Sequence, residues 1–461
     1  MEPGGAHCML IPGLPLHWPL RATVGPTGGH PELTAGNGDG TPDYASFDVA
    51  AVRALYPALT DGHAYLDGAA GTQVPVAVIE AITAAYRTGI GNLGGAFAAS
   101  GRSDAIVAGA RTAVADLVGG TPEGVVFGPS ATALTYRIAD ALSRAWTTGD
   151  EIVVSRLDHD ANVRPWIQAA VRMGVTVKWA EVDLVTGELP VAQYEDLIGP
   201  RTRLVAVTAA SNAIGTRPDV AAIARLAHEA GALCYVDGVH ATPHVPVDVA
   251  ALGADFYATS AYKWSGPHLA AAVAAPELLE KVWPDKLAPS SNKVPWRFER
   301  GTLPFADLLG VTAAVDHLAG LAQYALPAPG ASGLVTAGPG AAPSSRRERV
   351  LASMATVEAY ESALFARLLG GLAELDRVDL YGKAARRAPT AFFNVAGVAP
   401  RAVAEHLAAR GVNVWDGDNY AYELCTALGL EPDGAVRAGL VHYNDASDVD
   451  RLLQGLADLA R

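Results

Sequence analysis

The sequence predicts an α/β protein, with a mainly parallel, doubly wound sheet in a large domain and a smaller C-terminal α+β domain. Three observations predict it. Between residues 124 and 259 short apolar runs alternate with amphipathic stretches, the rhythm of right-handed strand–helix–strand crossovers. Several runs end in polar clusters, as strands do when their carboxyl ends face a shared crevice. Beyond an Ala/Pro/Gly/Ser-rich stretch at 325–345, the pattern changes to one long helix and then short mixed elements.

Residues 1–45 are dense in Gly and Pro without apolar periodicity and read as a flexible arm. The large domain spans 46–322, with 46–75 placed to pack on the small domain; 323–346 is a linker or exposed excursion and 347–461 the small domain. A helix is expected over Val49 to Tyr56, a short strand and turn at Tyr65 to Pro75, and a helix over Val76 to Thr88. Gly91 to Ser100 reads as a small-residue loop without the spacing of a dinucleotide fingerprint. A helix follows over 105–118.

The strand Gly124 to Phe127 feeds Gly128-Pro-Ser-Ala-Thr, a strand-to-helix turn. Unpaired N–H groups and the positive end of the helix dipole suit a phosphate there, with Ser130 and Thr132 adding hydroxyls; an ordinary helix cap fits equally. Strands are then expected at Glu151 to Ser155, Val175 to Trp179, Leu204 to Thr208, Leu233 to Val236 and Phe256 to Thr259. Helices are expected after Asn162, near Val191 and at Asp219 to Ala230. Behind the long helix Arg346 to Leu372 come strands at Thr390 to Val395, Val412 to Trp415 and Val436 to His442. The helices there are Arg401 to Arg410, Tyr422 to Leu428 and Ala446 to Leu459.

Bulk properties narrow the function. A net charge of −14 argues against nucleic acid or an anionic membrane as partner. No run reads as a transmembrane helix and the N-terminus lacks a secretory pattern, so a cytoplasmic protein is expected. Cys8, Cys234 and Cys425 are too scattered for a disulfide framework or a zinc site.

Asp237 and Lys263 stand at the ends of neighbouring apolar runs. A carboxylate and an amine in one crevice suit pyridoxal phosphate, the lysine binding it covalently and the acid keeping its ring nitrogen protonated. Taken alone, the two also fit surface residues or an ion pair. Other segments add weight: Val236-Asp-Gly-Val-His240, Asp255-Phe-Tyr, Ser260-Ala-Tyr-Lys263, Gly266-Pro267 and Leu157-Asp-His-Asp-Ala-Asn-Val-Arg-Pro-Trp166. Together they resemble the class V aminotransferase group of pyridoxal-phosphate enzymes, in the cysteine desulfurase and selenocysteine lyase branch. The likeness runs from about Tyr65 to the C-terminus and is nearest to a desulfurase-like subgroup.

The resemblance implies fold type I, a homodimer and a role for each matching residue. Lys263 would carry the cofactor and move protons, Asp237 would face the pyridine nitrogen, and His159 would stack on the ring. Asn212 and His240 would bond the phenolic oxygen, although the family usually has Gln at the second position. Ser130, Ala131, Thr132 and Ser260 would hold the phosphate, and Thr302 would reach the partner's cofactor. Arg437 would grip the carboxylate of a small amino-acid substrate.

Departures from the pattern shape the expected reaction. The branch places a mobile cysteine in a Gly-His-His-Cys-Ala loop; the matching stretch here is Trp415-Asp-Gly-Asp-Asn-Tyr-Ala421, with Tyr420 at the cysteine's place and Trp415 at that of an arginine. A basic residue of the Asn92 loop is replaced by Leu93 or Gly94. Cys425 lies on a helix pattern and reads as a packed residue. A substrate larger or less anionic than cysteine is expected, with β-elimination from a cysteine conjugate as the leading reaction, Tyr420 and Trp415 lining the substrate side. Transamination and epimerisation use the same lysine and stay open. A non-catalytic cofactor-binding protein is a further reading. So is a metal hydrolase built on Asp158, His159, Asp160, Asp237, His240 and His244, which Pro243 disfavours by opposing a helix between the two histidines.

Overall fold

The computed structural model describes residues 47–326 and 345–459. The expected arm at 1–45 and residues 327–344 of the expected linker lie outside the described residues. Twelve strands occur among these residues, in chain order β1 (Ala64–Tyr65), β2 (Val125–Gly128), β3 (Glu151–Ser155), β4 (Thr176–Ala180), β5 (Thr202–Thr208) and β6 (Leu233–Asp237). They continue as β7 (Phe256–Ser260), β8 (Ala270–Ala274), β9 (Val378–Tyr381), β10 (Thr390–Val395), β11 (Val412–Asn413) and β12 (Val436–Gly439).

Seven strands form one sheet in the order β2-β8-β7-β6-β5-β3-β4. All run parallel except β8, which is antiparallel to both neighbours. Alternation along the strands gives the sheet two apolar faces. Val153, Val205, Val207, Cys234, Val236 and Tyr257 pack on one side. Ile152, Val154, Leu204, Ala206, Tyr235 and Phe256 pack on the other. Burial on both faces explains why these strands read as continuous apolar runs.

The register carries the site. Thr208 pairs with Asp237 and Asp237 with Ala258. Ser260 pairs with Ala270, which in turn pairs with Gly128. The carboxyl ends of β2, β5, β6 and β7 therefore open along one edge, and the helix Ala131–Ser143 starts just past it.

A second sheet, β12-β10-β9, is antiparallel, and β1 pairs with β11 in parallel. That pairing ties the segment after the first helix to residues 348 positions later. Arg53 adds to it, donating to the Tyr443 carbonyl and to Asp448, both at 2.8 Å.

Several expectations need correction. The helix expected at 105–118 begins at Ala98, so the end of the small-residue loop is already helical. The first helix ends at Arg53 and a 3-10 turn covers Pro57–Asp61. The helix near Val191 is the short Gln193–Leu197; β11 stops at Asn413 and β12 at Gly439. The stretch Phe305–Tyr324 is long and apolar enough to cross a membrane, contrary to the expectation that none is. Its Leu308, Val311, Ala314, Val315 and Leu318 are buried against the helices Val76–Thr88 and Ala98–Val118, which marks it as a core helix.

Candidate active site

Lys263 lies in a 3-10 turn directly after β7, with its amino group donating to the carbonyl of Ala69. The segment carrying Ala69 is clamped to that turn. The Thr72 N–H and hydroxyl both donate to the Tyr262 carbonyl, at 2.9 and 3.1 Å, and the Ser265 N–H donates to the Thr72 hydroxyl at 2.7 Å. Burial and the nearby Arg437 charge lower the Lys263 pKa to about 7, against the opposing pull of Asp237 and Asp67. The amine is thus poised to exchange a proton near neutrality.

Asp237 ends β6, buried, with one carboxylate oxygen accepting from the Val239 N–H at 2.9 Å. Burial raises its pKa to about 6. Asn212 follows β5; its amide donates to the Asn419 carbonyl at 2.7 Å while its Oδ1 is buried without a partner. His240 is buried, Nε2 paired with the Thr390 hydroxyl at 2.9 Å and Nδ1 without a partner. Desolvation holds this imidazole well below its ordinary pKa, so it is neutral.

His159 caps the turn after β3, its Nδ1 accepting from the Ala161 N–H at 3.0 Å. Burial and the charges of Lys263 and Arg437 lower its pKa to about 3. Tyr420 stacks on its ring, centroids 5.3 Å apart and planes 19° from parallel. At the helix start, the Ser130 hydroxyl accepts from the Ala133 N–H at 3.1 Å, an ordinary cap. As first-turn groups, the Ala131 and Thr132 N–H have no partner within the helix. Ser260 is buried at the end of β7 and Thr132 is exposed. Thr302 is exposed, shortly before the helix Phe305–Ala319.

Arg437 is buried on β12, Nη1 donating to the Asn212 carbonyl at 3.0 Å. Burial lowers its pKa to about 10, leaving it a cation at neutral pH. Trp415 pairs with it through the backbone and is half exposed. Asp67 was missed by sequence reasoning. Its Oδ1 is buried without a partner and its pKa is raised to about 6 by burial, against Arg437 and Lys263. It follows a short apolar run, the same signal that marked Asp237.

The metal-hydrolase reading finds most of its donors engaged, His240 Nδ1 and His244 Nε2 being the exceptions. His240 is engaged by Thr390, His244 Nδ1 by Glu361 at 2.7 Å, and Asp158 by Ser155 and Asn162. Among the described residues no three His, Cys, Asp or Glu side chains gather as metal ligands.

The donor set fits pyridoxal phosphate. A buried amine, a buried carboxylate at the neighbouring strand end, two unpartnered polar atoms on Asn212 and His240, and free N–H groups at a helix start match its aldehyde, ring nitrogen, phenolic oxygen and phosphate.

Known proteins point the same way. A model of the aminotransferase class-V family matches residues 64–325 and 350–452. The Mycobacterium tuberculosis protein MT3887 is 37% identical over 416 residues, 90% of this chain and 100% of that protein. A cysteine desulfurase of Klebsiella pneumoniae is 32% identical over 432 residues, 89% and 98% of the two chains. The crystal structure of the Escherichia coli cysteine desulfurase CsdA superposes with a TM-score of 0.76 at 29% identity, covering 90% of this chain and 98% of that one.

Proposed function

The chain belongs to the aminotransferase class-V family of pyridoxal-phosphate enzymes, and from that premise we propose that it is a C–S lyase acting on cysteine conjugates without a protein persulfide. The observation that carries the proposal is the state of Cys425, the cysteine nearest the loop where this branch keeps its sulfur-accepting thiol. It is buried in the helix Tyr422–Ala427, its sulfur 3.8 Å from the Asp418 carbonyl, and burial pushes its pKa up to about 12. A persulfide route needs a thiolate that can reach the substrate. At the cysteine's place stands Tyr420, which cannot accept sulfur.

When bound, pyridoxal phosphate supplies an electron sink for a substrate carbanion. Lys263 would hold it, with Asp237 toward the ring nitrogen, His159 on the ring face and Asn212 and His240 toward the phenolic oxygen. Ser130, Ala131, Thr132 and Ser260 would hold the phosphate, Thr302 serving the partner's site in a homodimer. Arg437 binds the substrate carboxylate and fixes the orientation of Cα. Displaced from the cofactor by the substrate's amine, Lys263 would remove the Cα proton as a neutral amine, the form that burial favours. The Cβ–S bond then breaks with its electron pair on sulfur, and the proton ends on the thiol. With one water the products are a thiol, ammonia and pyruvate.

The test is to incubate the holoenzyme with S-substituted cysteines and with free cysteine, measuring thiol, pyruvate and alanine. Equal amounts of thiol and pyruvate from a conjugate are expected. Fastest turnover of free cysteine, with alanine as product, would overturn the reading. Borohydride treatment followed by peptide mapping should place the cofactor on Lys263.

A further inference from the structure

Three aromatic side chains stand exposed on the segment that crosses the site, Trp415 at 51%, Tyr420 at 70% and Tyr422 at 46%. Exposed rings on a flexible loop would carry little meaning, but this loop is pinned from four sides. The Asp160 N–H donates to the Tyr420 carbonyl at 2.7 Å, and Asn212 holds the Asn419 carbonyl. The Ala435 N–H donates to the Gly417 carbonyl at 3.2 Å. Glu423, nearly buried, bridges Arg156 at 2.7 Å and Arg164, which also holds Asp160 at 2.7 Å. Asn419 and Tyr420 both take positive φ, 52° and 59°. A tyrosine persists there only where its surroundings over-determine it.

Two of the rings adjoin site residues, while Tyr422 has the Arg164 guanidinium 5.3 Å from its ring centre. Trp415 and Arg437 exchange both backbone hydrogen bonds, at 3.1 and 2.7 Å, as directly opposed antiparallel residues. Opposed residues project side chains to the same face, so Trp415 stands on the face that carries Arg437. Tyr420 lies on His159. The loop offers no free cation: Arg156 and Arg164 are spent on Glu423, and Arg401 lies 3.5 Å from Asp416. Asp416 and Asp418 make its surface acidic.

We propose that the loop 415–422 is a fixed subsite for the substituent on the substrate's Cβ and that it takes an uncharged aromatic group, making S-aryl and S-arylmethyl cysteines the preferred class. Binding of the aryl group rests on the rings; only the fate of the Cβ–S bond rests on the elimination reading above. A second carboxylate would meet Asp416 and Asp418, and a methyl group would leave the rings uncovered.

The experiment titrates the holoenzyme's visible band with S-phenyl-, S-methyl- and S-carboxymethyl-L-cysteine. The phenyl conjugate should bind about 10-fold more tightly than the methyl one, with the carboxymethyl conjugate weakest. Tyr420→Ala should shrink the phenyl-to-methyl ratio about 5-fold, Tyr420→Phe should keep it, and Tyr86→Ala, an exposed ring elsewhere, should leave it alone. Equal affinities, tightest binding of the carboxymethyl conjugate, or a ratio indifferent to Tyr420→Ala would overturn the proposal. So would a dimer that dissociates on Trp415→Ala, which would assign the rings to a second copy. Aryl preference without thiol release would sink the elimination reading and leave the subsite standing.

Discussion

The amino group of Lys263 donates to the carbonyl oxygen of Ala69, 194 positions earlier in the chain. One neutral oxygen compensates little of the cost of burying a charge, which is why burial dominates the fall of this pKa from 10.5 to about 7. The sign of the consequence follows. Below about pH 7 the lysine is charged in both folded and unfolded chains, and the folded state bears the full desolvation cost. Above about pH 10.5 it is neutral in both, and the cost is gone. The cofactor-free protein should therefore gain stability from this group as pH rises between those values. Lys263→Met should be more stable than the parent at pH 6, with the gap closing towards pH 10. Denaturant midpoints at several pH values measure it; a gap that widens with pH would refute the assignment.

Burial of Cys425 and Cys234 makes thiol chemistry a sharp probe. A pKa of about 12 for Cys425 leaves it about a thousandfold less thiolate than an ordinary cysteine, and burial raises Cys234 further still. Neither should react with an aromatic disulfide reagent at pH 8 in the native protein, and both should react in denaturant. Cys425→Ala should keep turnover of cysteine conjugates within about twofold, since only a packed side chain is lost. An activity that disappears with this thiol would restore a persulfide route.

What sequence reading could reach was set by the range of the forces involved. Strands buried on both faces leave unbroken apolar runs, so the ends at Asp237 and Lys263 were legible. The Ala270–Ala274 strand was not, because an alanine run carries helix propensity and no strand signature; its pairing with β2 and β7 decides its conformation. The helix start at Ala98 was hidden among Gly, Ala and Ser residues whose local preference is for loop. In the site, strand ends pointed to Asp237 and Lys263, and the family resemblance pointed to Asn212, His240 and Arg437. Nothing local announces that Glu423 bridges Arg156 and Arg164, or that Asn212 holds the Asn419 carbonyl. These contacts span more than two hundred positions, and only the packed chain brings them together.

Arg111 and Glu299 form a buried two-pronged pair, Nη1–Oε1 at 2.9 Å and Nη2–Oε2 at 2.8 Å. Glu299 also accepts from the Phe127 N–H at 2.9 Å, and Arg111 lies over the Trp296 ring at 4.4 Å. The pair fixes the 296–299 segment against β2, whose end feeds the helix start at Ala131. Glu299→Ala leaves a buried guanidinium uncompensated and should cost about 3–5 kcal/mol. Glu299→Gln keeps an acceptor for Phe127 and should cost less. Chemical denaturation compares the three proteins, and an Ala variant as stable as the parent would remove the pair from any structural role.

Gly434 and Gly429 give a controlled test of the pinned loop. Both have positive φ, 67° and 68°, so alanine at either meets the same backbone penalty of about 1 kcal/mol. They differ in surroundings. A Cβ on Gly429 would meet open space, whereas one on Gly434 would come within 2.1 Å of the Gly417 carbonyl carbon and 2.5 Å of the Asp418 nitrogen. Those atoms are backbone and cannot rotate away, so Gly434→Ala must displace the loop that carries Tyr420. It should cost about 1–3 kcal/mol more than Gly429→Ala. Amide exchange across 415–422 should accelerate in the Gly434 variant alone. Because Tyr420 would then leave the His159 ring, the Gly434 variant should also lose preference for aryl conjugates, measured as the phenyl-to-methyl ratio of kcat/KM. Equal stability and equal exchange in the two variants would show that Gly417 and Gly434 are not in contact in solution.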